Sequence, residues 1–583
     1  MAEFAGWIDF THDLPSGGGA VATMSFGLSA GRAEDARLRT RRGAAFALRP
    51  SSTAENAALV EESGCLLAFA GVRYDGEGTD ATLRAYQETG ERFVAHLDGS
   101  YALAVWDSGR RQLVLARDHM GTRPLYYHRL PTGVVFASRL DALLKHPSVE
   151  ARLAADGLRM ILGGIGVPGQ TIYRGIHEVR AGHMVRFTLA GSHEHRYWAL
   201  HAAEHGDDLA TTIGRTRGLL EDAVARCTSD GRVCALLSGG LDSSTIAAIC
   251  AQRSGSGVRT FAVDYVGYEK NFQPNIVRPD PDSPYVRDMV AHLRAEHTDI
   301  VLDTGDLTRP EVWDGLVNAL DQPFLLSDVE PPMLLLYQAI RGEADSVLGG
   351  EGADEIFGGY PWFHHPQWSQ APDFPWALTS DLLVGTLFGP TFEALEVRTF
   401  RADQYRQALA EIPGLPDDSD LERRMRAVVY LFVTRFLPEK IDRSNRLGTA
   451  TGLDLRFPFC DHRLIEYTLN IPWSMKTFDG REKSILRAAS DDLLPRSIVE
   501  RRKSGYPLIH DRAYDHALRQ ELGRLYGNTA APVRSLIDIE VLRAVYEDPH
   551  GDGDVRLSRI EMEFAIKLNA WLEQRNLALP SGD

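Results

Sequence analysis

The sequence predicts a two-part α/β protein in which stacked antiparallel sheets are followed by a doubly wound, mostly parallel sheet. Three observations predict it. Residues 1 to about 195 hold short strand-like runs separated by turn residues, whereas after a polar stretch around 201–208 helical-period segments alternate with buried apolar runs. The first of those apolar runs leads directly into Ser238-Gly239-Gly240-Leu241-Asp242-Ser243-Ser244, a glycine turn that carries three hydroxyls and one carboxylate.

In chain order, the first part shows apolar runs at 65–70, 100–106, 112–116, 125–128 and 134–137. Turns such as Asp107-Ser108-Gly109-Arg110 and Pro131-Thr132-Gly133 divide them, as in stacked antiparallel sheets. The second part reads as helix 211–226, strand 233–237, helix 245–252, strand 260–263, helix 283–292 and strand 300–302. A further strand, 346–348, precedes a second glycine-rich acidic loop. Such alternation places the ligand at the carboxyl ends of the strands.

The 238–244 loop therefore sits at a helix N-terminus. Unpaired N–H groups and the helix dipole favour an anion there, the glycines admit phosphate oxygens to the backbone, and the serines add donors. Asp242 would repel those phosphates unless a divalent cation lay between them, so it predicts Mg²⁺. The loop lacks the Lys-Ser/Thr pair of a kinase-type phosphate loop.

Composition excludes several classes. A chain of 583 residues with 44% hydrophobic content buries at least two cores, and a formal charge of −17 argues against a coat for nucleic acid. No apolar run reaches membrane-spanning length, and Glu3 and Asp9 interrupt any signal-like N-terminus, so a cytoplasmic protein is expected. Five scattered cysteines without a CxxC pair are expected to be reduced thiols, with Cys234 in the core.

The SGGLDSS string resembles the pyrophosphate loop of ATP pyrophosphatases, which cleave ATP between the α and β phosphates. Phe4-Ala5-Gly6-Trp7-Ile8-Asp9-Phe10, the 97–107 segment and Arg117-Asp118-His119-Met120-Gly121 resemble the glutamine amidotransferase domain of the asparagine synthetase family. The resemblance implies a degenerate Ntn-type αββα glutaminase-like domain over 1–200, then a doubly wound ATP-pyrophosphatase-type synthetase domain with helical additions over 208–583. Two departures stand out. Ala2 occupies the place of the family's nucleophilic cysteine, and Ala70-Gly71 replaces the Asn-Gly that helps hold the oxyanion, which leaves this domain as a scaffold or docking surface.

In the synthetase half, Gly349-Gly350-Glu351-Gly352-Ala353-Asp354-Glu355 resembles the family's second signature, and 455–464 its Arg-Val-Pro-Phe-Leu-Asp-His-Arg segment. By resemblance, ATP contacts Leu237, Ser238, Gly239, Gly240, Asp242, Ser243, Ser244, Val263, Gly349 and Gly350. Asp242 and Asp354 share Mg²⁺, Glu351 faces the reacting groups, and Lys503 of Arg501-Arg502-Lys503-Ser504-Gly505-Tyr506-Pro507 contacts phosphate and acyl centre.

Relatives without the glutaminase cysteine use an amine within the substrate. Small-ring formers typically carry tyrosine where this chain has Glu351, and the aromatic, proline-rich segments 265–281 and 360–368 look like walls of a large chamber. The expected activity is that of a lasso-peptide macrolactam synthetase, adenylating an Asp or Glu side chain of a core peptide and joining it to the N-terminal amine. Implied partners are the precursor peptide, a leader peptidase and a leader-recognition protein, with no nucleic acid or membrane. The alternatives are an ammonia-dependent asparagine synthetase homologue, a β-lactam or carbapenam-type synthetase, and a non-catalytic scaffold.

Overall fold

The computed structural model describes all residues except Met1, 15–18, 29–35, 51–56, 230, 256, 275–277, 326–328, 510, 549–554, 578 and 580–583. Its first part stacks two six-stranded antiparallel sheets. One runs Ile176–Glu178, Tyr126–Arg129, Gly133–Ala137, Glu3–Asp9, Ala44–Arg49, Arg37–Arg41. The other runs Gly191–Arg196, His183–Thr188, Gln112–Arg117, Gly99–Asp107, Cys65–Arg73, Ala57–Glu62. Alternate residues point inward, so Phe4, Ile8, Phe46 and Phe136 of one sheet meet Leu66, Ala68, Trp106 and Leu113 of the other. Gly6 lies between Phe46 and Phe136 in register, and a Cβ there would come within 2.2 Å of the Phe136 ring. Only glycine fits.

Helices close both outer faces. Thr79–Thr89 sets Leu83 and Tyr86 against Leu67, Phe69 and Leu103, while Gly19–Ser25 and Leu140–Leu144 set Val21, Met24 and Leu140 against Ala5, Ala45 and Val135. The layers are thus α, β, β, α, as expected.

The second part is built on five parallel strands in the order Glu296–Leu302, Arg259–Tyr265, Val233–Leu236, Ser346–Leu348, Asp454–Arg456. The chain starts in the middle strand, works outward to one edge, then returns to the other side of that middle strand. Its direction of winding reverses between Val233–Leu236 and Ser346–Leu348, which opens a crevice at their carboxyl ends. The two acidic glycine loops leave from these two strands. The helix after the first loop begins at Leu241, four residues earlier than its apolar period suggests, because Gly240 caps it in extended conformation and the loop's own Asp242 and Ser243 form the first turn.

Between the last two strands lie the helical additions. Asp420–Leu431 runs into Leu437–Thr451 through a π turn, Phe432–Phe436, in which Leu437 N–H bonds Phe432 C=O. Pro438 has no N–H to continue the regular ladder, and the wider turn absorbs the gap.

The two parts share a buried, charged seam. Arg123 pairs with Asp454 at 2.8 Å, Asn445 Nδ2 donates to Thr122 C=O at 2.7 Å, and Arg446 donates to the Tyr126 hydroxyl at 2.6 Å. Asp321, fully buried, accepts the Leu140 N–H at 2.7 Å and ion-pairs with both Arg139 and Arg446. Burial alone would raise its pKa, but Arg139 and Arg446 hold the carboxyl well below the usual range. Its contribution to stability is present above the unfolded carboxylate range and drains only as pH falls through the lower folded value. Asp321→Ala strands two buried guanidinium groups, and urea unfolding should show a loss of about 3–5 kcal/mol. A loss below about 1 kcal/mol would contradict this role.

Candidate active site

Strand Val233–Leu236 delivers Leu237 and Ser238 to the crevice, and Gly239 turns the chain at φ +65°. A Cβ on Gly239 would lie 2.6 Å from Tyr285 Cβ, so the turn requires glycine. Ser243 Oγ accepts the Ser238 N–H at 3.2 Å and lies 3.1 Å from Ser238 Oγ, which ties the loop across its mouth. Behind it, Arg501 donates to Ser238 C=O at 3.0 Å, pairs with Asp282 and covers the Tyr285 ring at 4.1 Å.

The second loop faces the first. Helix Ala353–Phe357 carries Asp354, and Gly350 comes close enough that a Cβ would sit 3.3 Å from Asp242 Cβ. Between the two loops lies the Lys483 ammonium, 2.6 Å from both Asp242 oxygens and 2.6 Å from Asp354 Oδ1. Lys503 Nζ donates to Asp354 Oδ2 at 2.7 Å. Burial would raise Asp354, but Lys483, then Lys503 and Lys440, hold it far below the usual carboxylate range; reciprocally, burial would lower Lys503 and Asp354 holds it above the usual lysine value. The lysines are stacked tightly against the loop. At Gly359 a Cβ would come within 2.0 Å of Asp354 Oδ1 and 2.1 Å of Lys483 Cε.

Helix Leu437–Thr451 forms the opposite wall. Lys440 donates to the Tyr360 hydroxyl at 2.7 Å and to Glu355 at 3.0 Å, while Ser444 Oγ donates to Glu351 at 3.0 Å. A cavity of about 1100 Å³ runs from these loops toward the first part of the chain, where Met120, Thr122, Ile165, Gly166 and Trp198 line it. By contrast, the space behind Ala2 and Ala70, bounded by Ala102, Arg123 and Asn445, is only about 20 Å³.

Two glycine-flanked acidic loops at the winding reversal, bridged by lysines, accord with the similarity found for the sequence: the Asparagine synthase family model matches residues 215–573. The chain belongs to that family. A Glutamine amidotransferase domain matches residues 68–198. Asparagine synthetase (glutamine-hydrolyzing) 3 of Bacillus subtilis is 35% identical over 476 residues, 80% of this chain and 77% of that one. Amidase chry2 of Gibberella zeae is 26% identical over 497 residues, covering 73% and 72%. Asparagine synthetase (glutamine-hydrolyzing) 2 of B. subtilis is 26% identical over 471 residues, covering 75% and 60%. Asparagine synthase-type enzymes are ATP-dependent amide-forming ligases, and this α/β chain pairs a glutamine amidotransferase-like Ntn domain with an ATP-pyrophosphatase-type synthetase domain. Among the described residues, no helix is long and apolar enough to cross a membrane.

Of the residues expected to contact nucleotide, Leu237, Ser238, Gly240, Asp242, Ser243, Val263 and Gly350 line the cavity, as do Glu351, Asp354 and Lys503. Three do not. Ser244 lies one residue further round the helix, fully buried, with no hydrogen bond to its hydroxyl. Gly239 packs against Tyr285, and Gly349 shapes the loop, its N–H bonded to Arg456 C=O. Lys503 is half-buried beside Asp354, whereas Arg502 is exposed. Lys483 is not marked in the sequence, since one lysine in Gly480-Arg481-Glu482-Lys483 carries no local signal. Its role needs the contact across 241 residues.

The two aromatic segments differ. Tyr360, Trp362 and Trp368 of the second line the cavity, with Tyr360 and Trp362 stacked on Phe432. Of the first, Tyr268 reaches the cavity, but Tyr265 bonds Pro507 C=O and Phe272 packs on Tyr268, so most of it covers its own domain; 275–277 lie outside the described residues. All five cysteines are free and buried.

The site also fits the expected Mg²⁺. Asp242 and Asp354 converge on one shared positive charge, the Lys483 ammonium. No cluster of three metal-binding side chains exists among the described residues, which suits a cation that takes one or two carboxylates and completes its shell with phosphate oxygens and water. When bound, the ion would neutralise phosphate charge.

Removal of Lys483 leaves two carboxylates facing each other. Lys483→Met should lower ATP-dependent AMP release by about 10²–10³-fold. Lys503→Ala should cost less, and Arg502→Ala under about threefold, all measured as kcat. Equal losses for Lys503→Ala and Arg502→Ala would contradict the assignment.

Proposed function

We propose that the chain is an AMP-forming macrolactam synthetase of the lasso type, joining an Asp or Glu side chain of a ribosomal core peptide to that peptide's N-terminal amine. One observation carries the reading: the chamber beside the lysine-bridged loops is about 1100 Å³, just above the ordinary range of ligand pockets. A substrate larger than aspartate has room there. Ala2 supplies no nucleophile to release ammonia, which supports an amine carried by the substrate.

In this reading the loop from Ser238 to Ser243 holds the β and γ phosphates through backbone N–H groups and hydroxyls at the helix N-terminus. The substrate carboxylate attacks the α-phosphorus of ATP, pyrophosphate leaves, and Lys483 and Lys503 offset the charge that builds on the phosphate oxygens. The acyl-adenylate then meets the amine. C–N bond formation expels AMP, with the folded peptide supplying effective concentration in place of a second binding event. Glu351, held by Ser444, is placed to orient the reacting carbonyl side. A precursor peptide, a leader peptidase and a leader-recognition protein are the proposed partners, and the cytoplasm the proposed location.

A second reading, ammonia-dependent asparagine synthesis, is favoured by the 35% identity to the B. subtilis enzyme. An assay of AMP and pyrophosphate release separates the two. With the linear core peptide, peptide-dependent AMP release and the loss of one water mass from the peptide are expected. AMP release with aspartate and ammonium, and none with peptide, would overturn the macrolactam reading.

A further inference from the structure

Helix Leu437–Thr451 spends nearly every polar side chain that faces the crevice or the seam. Lys440 goes to Glu355 and Tyr360, Ser444 to Glu351, Asn445 to Thr122, Arg446 to Asp321 and Asp442. Glu439 is different. It lines the large cavity, yet among the described residues no hydrogen bond supports its carboxylate, and the charges it feels are Arg443 and Asp442 of its own helix. The element facing it, the Ile165-Gly166-Val167 loop of the first domain, brings no titratable group. At Gly166 a Cβ would stand 3.2 Å from Glu439 Oε1, so the bare glycine leaves the carboxylate open to the cavity. Ser444, the residue that touches Glu351, stands roughly 7.5 Å further along the helix axis and about 140° around it, so Glu439 meets the same cavity from the side of the first domain.

On the amide-forming reading above, we infer that Glu439 anchors the acceptor amine, receiving an α-ammonium group of the substrate and taking one proton from it. The neutral nitrogen then forms its bond to the acyl carbon, the bond from that carbon to the phosphate oxygen breaks, and AMP leaves with the electron pair. The second nitrogen proton departs with the AMP phosphate, and the third stays in the amide. Burial supports the assignment by pushing the Glu439 carboxyl up to about 7, against the opposing pull of Arg443. An α-amine, near 7.7–8.0, is matched to such a base within about one unit, while a lysine ε-amine, near 10.4, is about three units away.

The test is Glu439→Gln, assayed with whichever acyl donor the wild type consumes, the linear core peptide or aspartate with ammonium chloride. ATP–pyrophosphate exchange should stay within about twofold and amide formation should fall at least about 30-fold, a loss confined to the second half-reaction. Hydroxylamine, whose nitrogen is unprotonated at neutral pH, should still trap the acyl-adenylate as hydroxamate at near the wild-type rate. Equal losses of amide and hydroxamate, or no loss of either, would overturn the anchor. Gly166→Ala crowds the same oxygen from the opposite wall, and should raise the KM for the amine while exchange is unchanged; an unchanged KM is a second contrary result. Independently of turnover, glycinamide should give saturation-transfer NMR signals with the wild type that vanish in Glu439→Gln. Persistent signals in the variant would refute the anchor even if the macrolactam reading stood, and their loss would uphold it even if that reading fell.

Discussion

Two carboxylates brought together in a crevice of low dielectric repel strongly, and the two loops can face each other here because Lys483 lies between Asp242 and Asp354. Each carboxylate sits on a different acidic loop, each loop leaves a different parallel strand, and the strands are neighbours across the reversal of winding. The ion cluster thus holds the two loops together at the place where an α/β sheet of this order accepts its ligand. Charge that is balanced by an internal lysine can be rebalanced by phosphate and a divalent cation. The resting arrangement prefigures the loaded one.

The constraint extends outward through one helix. Leu437–Thr451 touches the crevice with Lys440 and Ser444 and touches the first domain with Asn445 and Arg446. The helix's own step of about 100° per residue turns these two sets of side chains towards different neighbours. The first domain thereby serves as a wall: its Thr122, Ile165 and Gly166 line the same chamber as the synthetase loops. Arg123 with Asp454, and Asp321 with Arg139 and Arg446, make separation of the two halves expensive, since each break would leave a charge buried without its partner.

Much of this was legible in the chain. Alternating and continuous apolar runs gave both sheet types, and the glycine loops marked the crevice, because strand periodicity and turn chemistry are local properties. Asp242 and Asp354 were legible for the same reason, each framed by glycines. Lys483 and Lys440 were not, since nothing near them in sequence records a partner 85 to 241 residues away. Ser244 misled in the opposite direction: it shares a motif with Ser243, yet one step around a helix turns a side chain by about 100° and here carries it into the core. The aromatic segments divided similarly, because composition marks a segment as able to line a chamber without saying which face it presents.

The most direct measurement is a crystal structure of the protein with α,β-methylene-ATP and Mn²⁺, the latter located by its anomalous signal. The account predicts phosphates on the Ser238 to Ser243 loop, manganese held by Asp242 and Asp354, and the Lys483 ammonium moved from the carboxylates onto phosphate oxygens. Nucleotide bound elsewhere, with Lys483 still pinned between Asp242 and Asp354, would contradict it.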